Sequence, residues 1–197
     1  MTYEIRPDDA LVVVDVQHDF LPGGALGVAE GERIFAPIDA LAPRFARVYA
    51  TRDWHPADHS SFAAQGGPWP VHCVANSRGA AFDSRLDLGK VDVIVDKGID
   101  RATDGYSGFA ATSLADDLRA HGVRRVFVCG LATDYCVKAT ALDALDDGFE
   151  AVVIDDASAA VNVDPGDEQF ALDELRAAGV GIAHSTDLQG AAAHVRR

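Results

Sequence analysis

Residues 124–157 read "RRVFVCGLATDYCVKATALDALDDGFEAVVIDDA", and they decide the fold. An apolar, β-branched run (124–130) gives way to a helix-like segment (133–147). Gly148 follows, then a second apolar run (150–157). Neither run alternates polar with apolar residues, as strands buried on both faces of a parallel sheet require. The unit is therefore strand, helix, strand. The same alternation extends in both directions, with further strands at 10–16, 47–51, 91–97 and 180–185. Helical patterns fall at 31–46, 112–121, 166–178 and 187–195, and Gly122, Gly148 and Gly179 stand where helix stops belong. Pro37 and Pro43 make 31–46 an awkward helix. The pattern predicts a three-layer, doubly wound α/β fold: a mostly parallel six-stranded sheet with helices on both faces. One domain over 1–197 is expected, long enough to bury roughly 70% of its unfolded surface.

Composition removes several classes of function. A net charge of −14 with 17 Lys plus Arg cannot readily assemble a basic face, so no nucleic-acid partner is expected. No apolar stretch reaches membrane-spanning length and "MTYEIRPDDA" lacks a leader's basic and apolar regions, which predicts a soluble, cytoplasmic protein without a membrane partner. Three cysteines without a CxxC do not make a disulfide framework. Lysine occurs only at 90, 97 and 138, against fourteen arginines. Acid excess with scarce lysine suits high salt, where self-repulsion is screened, although a GC-rich genome gives a similar lysine-to-arginine ratio. No GxGxxG follows the first strand and no GxxxxGK[ST] occurs, which argues against a nucleotide-binding module.

Open parallel sheets bind ligands beyond the carboxyl ends of their strands. Asp15, Asp53 and Lys97 end three of the predicted strands, and a fourth runs into Cys136. With Thr133 as N-cap, Cys136 falls near the third helical position, where first-turn N–H groups and the helix dipole would lower a thiol's pKa. The same N–H groups suit the oxyanion of a tetrahedral intermediate. Cys129, inside an apolar strand, reads as a packing residue, and Cys73 is open between the two roles. Asp15 and Lys97 are suitable partners for a nucleophilic thiol if their strands are neighbours; the alternative is a structural ion pair. The irregular, Gly/Pro-rich stretch 52–89 carries "DWHPADH" and "WPVHC". It thereby offers Asp53, His55, His59 and His72 to a divalent metal such as Zn, Fe or Mn. His18, His121, His184 and His194 lack such company.

"VVVDVQHDF", "DKGID" and "GLATDYCVKAT" resemble the isochorismatase-like cysteine hydrolases. "TRDWHPADHSSF", "WPVHC" and "GYSGF" add a closer resemblance to the nicotinamidases (pyrazinamidases) of that superfamily, in the right order from about residue 10 to 185. The resemblance implies a cysteine amidohydrolase that converts nicotinamide to nicotinate and ammonia in NAD salvage, through a thioester on Cys136. It makes Asp15, Lys97 and Cys136 the catalytic triad, with the backbone N–H groups of Ala132 and Cys136 as oxyanion hole and a cis Leu131–Ala132 peptide. It makes Asp53, His55 and His72 metal ligands, most plausibly for zinc, with His59 or (through water) Ser60 completing the set. Phe20, Trp69, Tyr106, Leu131 and Ala132 would enclose nicotinamide or a pyrazinamide-like analogue, Tyr106 depending on the spacer "GIDRATD". The alternative within the superfamily is an amidase or carbamoyl hydrolase acting on another small amide. No subunit interface is readable, so a homo-oligomer stays open.

Overall fold

The computed structural model describes residues 2–191. In chain order its strands are β1 (Tyr3–Glu4), β2 (Asp9–Val14), β3 (Arg47–Asp53), β4 (Val93–Lys97), β5 (Arg125–Leu131), β6 (Glu150–Ala159), β7 (Gly181–Ala183) and β8 (Leu188–Gln189). The α-helices are α1 (Phe35–Leu41), α2 (Leu114–Ala120), α3 (Lys138–Asp146) and α4 (Asp167–Ala178). Six strands form one sheet in the order β4-β3-β2-β5-β6-β7, and every neighbouring pair is parallel. This is the doubly wound sheet that the continuous apolar runs predicted.

All six residues of β2 are buried, because the strand is covered on both faces. Leu11 and Val13 pack on one face with Ile38 and Leu41 of α1 and with Phe127. Ala10, Val12 and Val14 pack on the other with Leu114 and Leu118 of α2, Ala141 of α3 and Leu175 of α4. Fully burying a Val or Leu side chain contributes about 1.5–3 kcal/mol. The sheet is thus the middle layer of three. The winding direction reverses between β2 and β5, which opens a crevice at their carboxyl ends.

Three predicted elements differ. The helix expected over 31–46 divides into a 3-10 turn (Gly31–Ile34), the short α1 and a second 3-10 turn (Ala42–Arg44), with Pro43 at the start of the last. The strand expected over 180–185 stops at Ala183, and a 3-10 turn occupies Ser185–Asp187. Where a helix was expected from 187, Leu188–Gln189 instead pairs in parallel with Tyr3–Glu4, a long-range contact that no local pattern records. The remainder of that prediction from 192 on, and His194, lie outside the described residues. No helix among the described residues is long and apolar enough to cross a membrane.

Candidate active site

Asp15 is the first residue beyond β2 and takes a left-handed backbone (φ 52°), which aspartate tolerates better than most side chains. Its own N–H still donates to Thr51 O of β3 at 3.1 Å. Gly130 of β5 passes so near the Val14 backbone that a Cβ there would collide with it. The close approach brings the ends of β2 and β5 together.

β2 and β4, whose adjacency the sequence left as a condition, are not neighbours; β3 lies between them. Lys97 nevertheless reaches Asp15 because its side chain spans the end of β3. Its Nζ, wholly buried, stands 2.8 Å from Asp15 Oδ2 and 2.5 Å from Asp53 Oδ1. It also donates to Gly105 O at 2.6 Å and lies 3.6 Å from Cys136 Sγ. One oxygen of Asp15, one of Asp53 and Cys136 Sγ fall within 4.8 Å of one another. Asp15 Oδ1 accepts from Thr51 Oγ1 at 2.7 Å.

These charges titrate apart. Burial pulls the Lys97 pKa down, but the two carboxylates outweigh it and hold the ammonium charged. Burial also opposes ionisation of Asp53, yet Lys97 and then His55 keep its carboxyl well below the usual range. For Asp15 burial wins over Lys97 and raises the pKa to about 6. Two carboxylates on one lysine thus divide into a fixed charge and a group able to exchange a proton near neutrality.

Cys136 departs from expectation in two ways. Thr133 is not the cap: Ala132, extended at φ −106° and ψ 151°, precedes a π-turn over Thr133–Val137 that leads into α3. The N–H groups of Tyr135 and Val137 both turn back to Ala132 O, at 3.1 and 3.0 Å. The thiol pKa is raised, not lowered. Burial drives it up, Lys97 offsets only part, and the nearby carboxylates add to the rise. At rest Cys136 is a thiol with bases beside it. Cys129 and Cys73 are also buried, and burial pushes both thiols up; near Cys73 the carboxylates add to the rise and Lys97 opposes it. The Leu131–Ala132 peptide is cis.

A second cluster adjoins the first through Asp53. One ligand atom each from Asp53, His55 and His72, all buried, lie within 4.8 Å of one another. His55 Nδ1 meets Gly98 O at 2.9 Å and His72 Nδ1 meets Pro70 O at 2.8 Å. A carbonyl accepts only, so each Nδ1 carries a proton, and in the neutral ring each Nε2 is the free donor atom. Those Nε2 atoms stand 3.3 and 3.9 Å from Asp53 Oδ2. Imidazoles anchored through Nδ1 beside a carboxylate make a donor set that fits a divalent metal. Gly98, at φ 61°, leaves room for the His55 ring that a Cβ would strike. His59 stacks on His55 at 4.0 Å between centroids, with its Nδ1 2.8 Å from Ser61 Oγ, and stands outside the three-residue group. Ser60 is exposed, with its N–H bonded to Arg101 O.

Cys136, Asp53, His55 and His72 line one cavity of ≈ 280 Å³, a size for a small molecule, and Asp15 and Lys97 lie buried outside its lining. Phe20, Trp69, Tyr106, Leu131 and Ala132 all line it, as expected. Trp69 Nε1–H donates to Tyr106 OH at 2.9 Å, which ties loop 52–89 to the loop after β4. The sequence reading missed the other lining residues, Tyr135, Ser61, Asp104, Val161 and the Ala25–Gly27 segment. Tyr135 meets Trp69 edge-on at 5.2 Å. Its place beside Cys136 was the one signal available. Thr51 was also missed; its signal was its position two residues before Asp53.

Comparison with known proteins agrees with this geometry. The model of the isochorismatase domain matches residues 9–187. The nicotinamidase of Escherichia coli (strain K12) is 41% identical over 201 residues, covering 89% of this chain and 94% of that protein. The crystal structure of PnC1 from L. infantum in complex with nicotinate superposes with a TM-score of 0.91 at 40% identity, over 98% of this chain and 100% of the other. That of the pyrazinamidase of Pyrococcus horikoshii in complex with zinc gives 0.85 at 48% identity, over 90% and 99%.

Proposed function

The chain belongs to the isochorismatase family, and from that premise we propose that it is a nicotinamidase, hydrolysing nicotinamide to nicotinate and ammonia in NAD salvage. The single observation that carries the reading is the shared cavity: Cys136, backed by the buried Lys97 and through it Asp15, lines the same small space as the Asp53–His55–His72 donor set.

Asp15 takes the Cys136 proton as Sγ attacks the carboxamide carbon. A thiol raised by burial and a carboxyl at about pKa 6 suit transfer during attack rather than a standing thiolate. Lys97 stays charged, stabilises the thiolate as it forms and holds Asp15 in place. The oxyanion is received by the backbone N–H groups of Ala132 and Cys136. The protonated Asp15 returns its proton to the departing nitrogen, so ammonia leaves and an acyl thioester remains. Water then gives a proton to Asp15 and its oxygen to the acyl carbon. Nicotinate leaves, and Cys136 recovers its proton.

Asp53, His55 and His72 would hold a divalent metal, which we assign as zinc; the same donors would also accept Fe²⁺ or Mn²⁺. When bound, the ion would supply a coordination point for the pyridine nitrogen. Phe20, Trp69 and Tyr106 enclose the ring, so that its amide faces Cys136, a positioning effect worth several kcal/mol of barrier. The test is ammonia release from nicotinamide, pyrazinamide, benzamide and an N-carbamoyl amino acid, on purified protein of measured metal content. Preference for the two ring-nitrogen amides is expected. Faster release from the carbamoyl compound overturns the reading in favour of a different amidase.

A further inference from the structure

Gln17 is wholly buried, two residues beyond Asp15, and no step of the proposed reaction uses it. A primary amide is costly to bury without partners, so its bonds show what it is there to hold. Its Oε1 accepts from the N–H of Asp53 at 2.8 Å. Its Nε2 donates to Asp53 O at 2.8 Å and to Ala80 O at 2.9 Å. The amide has one workable orientation, since the reverse would set donor against donor and acceptor against acceptors.

The need for this grip follows from the sheet. β2 pairs with β3 only as far as Val14 opposite Thr51. β3 continues to Asp53, still paired on its far side with Lys97. A strand residue points its own N–H and C=O to the same side, so Asp53 presents both toward the space β2 has vacated. The left-handed turn at Asp15, closed by Gln17 N–H to Asp15 O at 2.8 Å, brings the chain back there. The Gln17 side chain then supplies the rung that the strand no longer provides. Asp53 is also the residue shared by the two clusters, with Oδ1 on Lys97 and Oδ2 toward His55.

We infer that Gln17 is a positioning residue that sets metal affinity, by gripping both backbone groups of Asp53 and so fixing its carboxylate between Lys97 and the His55–His72 pair. This rests on the reading of Asp53, His55 and His72 as metal ligands. A merely structural glutamine would affect stability without singling out the metal.

The experiment measures Zn²⁺ affinity by chelator competition, together with Tm, for wild type, Gln17→Met and Cys129→Ala. Met matches the length of Gln without its hydrogen bonds, and Cys129→Ala loosens the core away from the cradle. Gln17→Met is expected to bind Zn²⁺ ~10–100-fold more weakly, the usual effect of removing a group that holds a ligand in place. Cys129→Ala should stay close to wild type. Should Gln17→Met fail to fold, Gln17→Glu, which keeps an acceptor for the Asp53 N–H, is read for the same loss. Equal Zn²⁺ affinity in the Gln17 variant and wild type overturns the inference, as does an equal loss in Cys129→Ala. A wild-type protein that takes up no divalent metal overturns the ligand assignment itself, a result distinct from the other two.

Discussion

The two halves of the cavity are built by different means. Asp15 and Lys97 sit at or just beyond the carboxyl ends of β2 and β4, and Cys136 lies in the π-turn that joins β5 to α3. They act on one another side chain to side chain, through an ion pair and a thiol contact. His55 and His72 belong instead to the irregular excursion after β3, and each ring is steadied by a loop carbonyl. One half is made of charges on a rigid frame and the other of oriented rings on a loop. The two should therefore fail separately under mutation, Asp53 excepted.

The largest effect tests the strand-end half. Cys136→Ala should reduce ammonia release to background while metal content stays at the wild-type level, because no metal donor is touched. Cys129→Ala, in the middle of β5, should retain turnover and lose stability through lost packing. Near-normal turnover in Cys136→Ala would contradict the proposed mechanism outright.

Asp15→Asn comes next. It preserves shape and removes the base, so kcat should fall ~10²–10⁴-fold with metal content intact. The same group sets the acid limb of the pH profile. Asp15 must be ionised to accept the thiol proton, and burial places its pKa at about 6. Wild-type kcat/KM should therefore fall as pH drops through about 6 and level off above it. A profile flat to pH 4 would remove Asp15 from the base role.

A smaller effect belongs to the loop half. His55→Ala or His72→Ala should lose metal and raise the KM for nicotinamide, with about a tenfold or greater loss of Zn²⁺ affinity. Alkylation of Cys136 by a small reagent should stay within about twofold of wild type, since its neighbours are Asp15 and Lys97. A matching fall in alkylation would show that the two halves are not separable.

The same contrast explains what the sequence made legible. Asp15, Asp53, Lys97 and Cys136 were readable because strand ends follow from apolar runs and ligands gather at strand ends. That reading stopped at topology: it required β2 and β4 to be neighbours, whereas β3 separates them and the length of the Lys97 side chain spans the gap. The thiol's raised pKa was not legible, because burial depends on the whole packed surround and helix position is only one contribution. Gln17 stood inside a quoted motif without an assignable role, since its partner Asp53 is 36 residues away. The β1–β8 pairing was hidden for the same reason, as it joins the two ends of the described chain.

The smallest effect distinguishes what the metal does from what the thiol does. Benzamide presents the same carboxamide on a ring without the nitrogen. If the loop half positions the pyridine nitrogen, benzamide gains little from the metal even in the intact enzyme and should be a poor substrate. Chelation should then cut nicotinamide hydrolysis toward the benzamide rate while benzamide hydrolysis changes by less. A metal acting directly on the carbonyl would penalise both amides alike, because the reacting group is the same in each. The measurement is the ratio of the two rates before and after chelation, with Cys136 alkylation as a control that the thiol has survived. A ratio that collapses toward unity places the loop half in ring positioning. A ratio left unchanged places the metal in the chemical step and rejects the division of labour argued here.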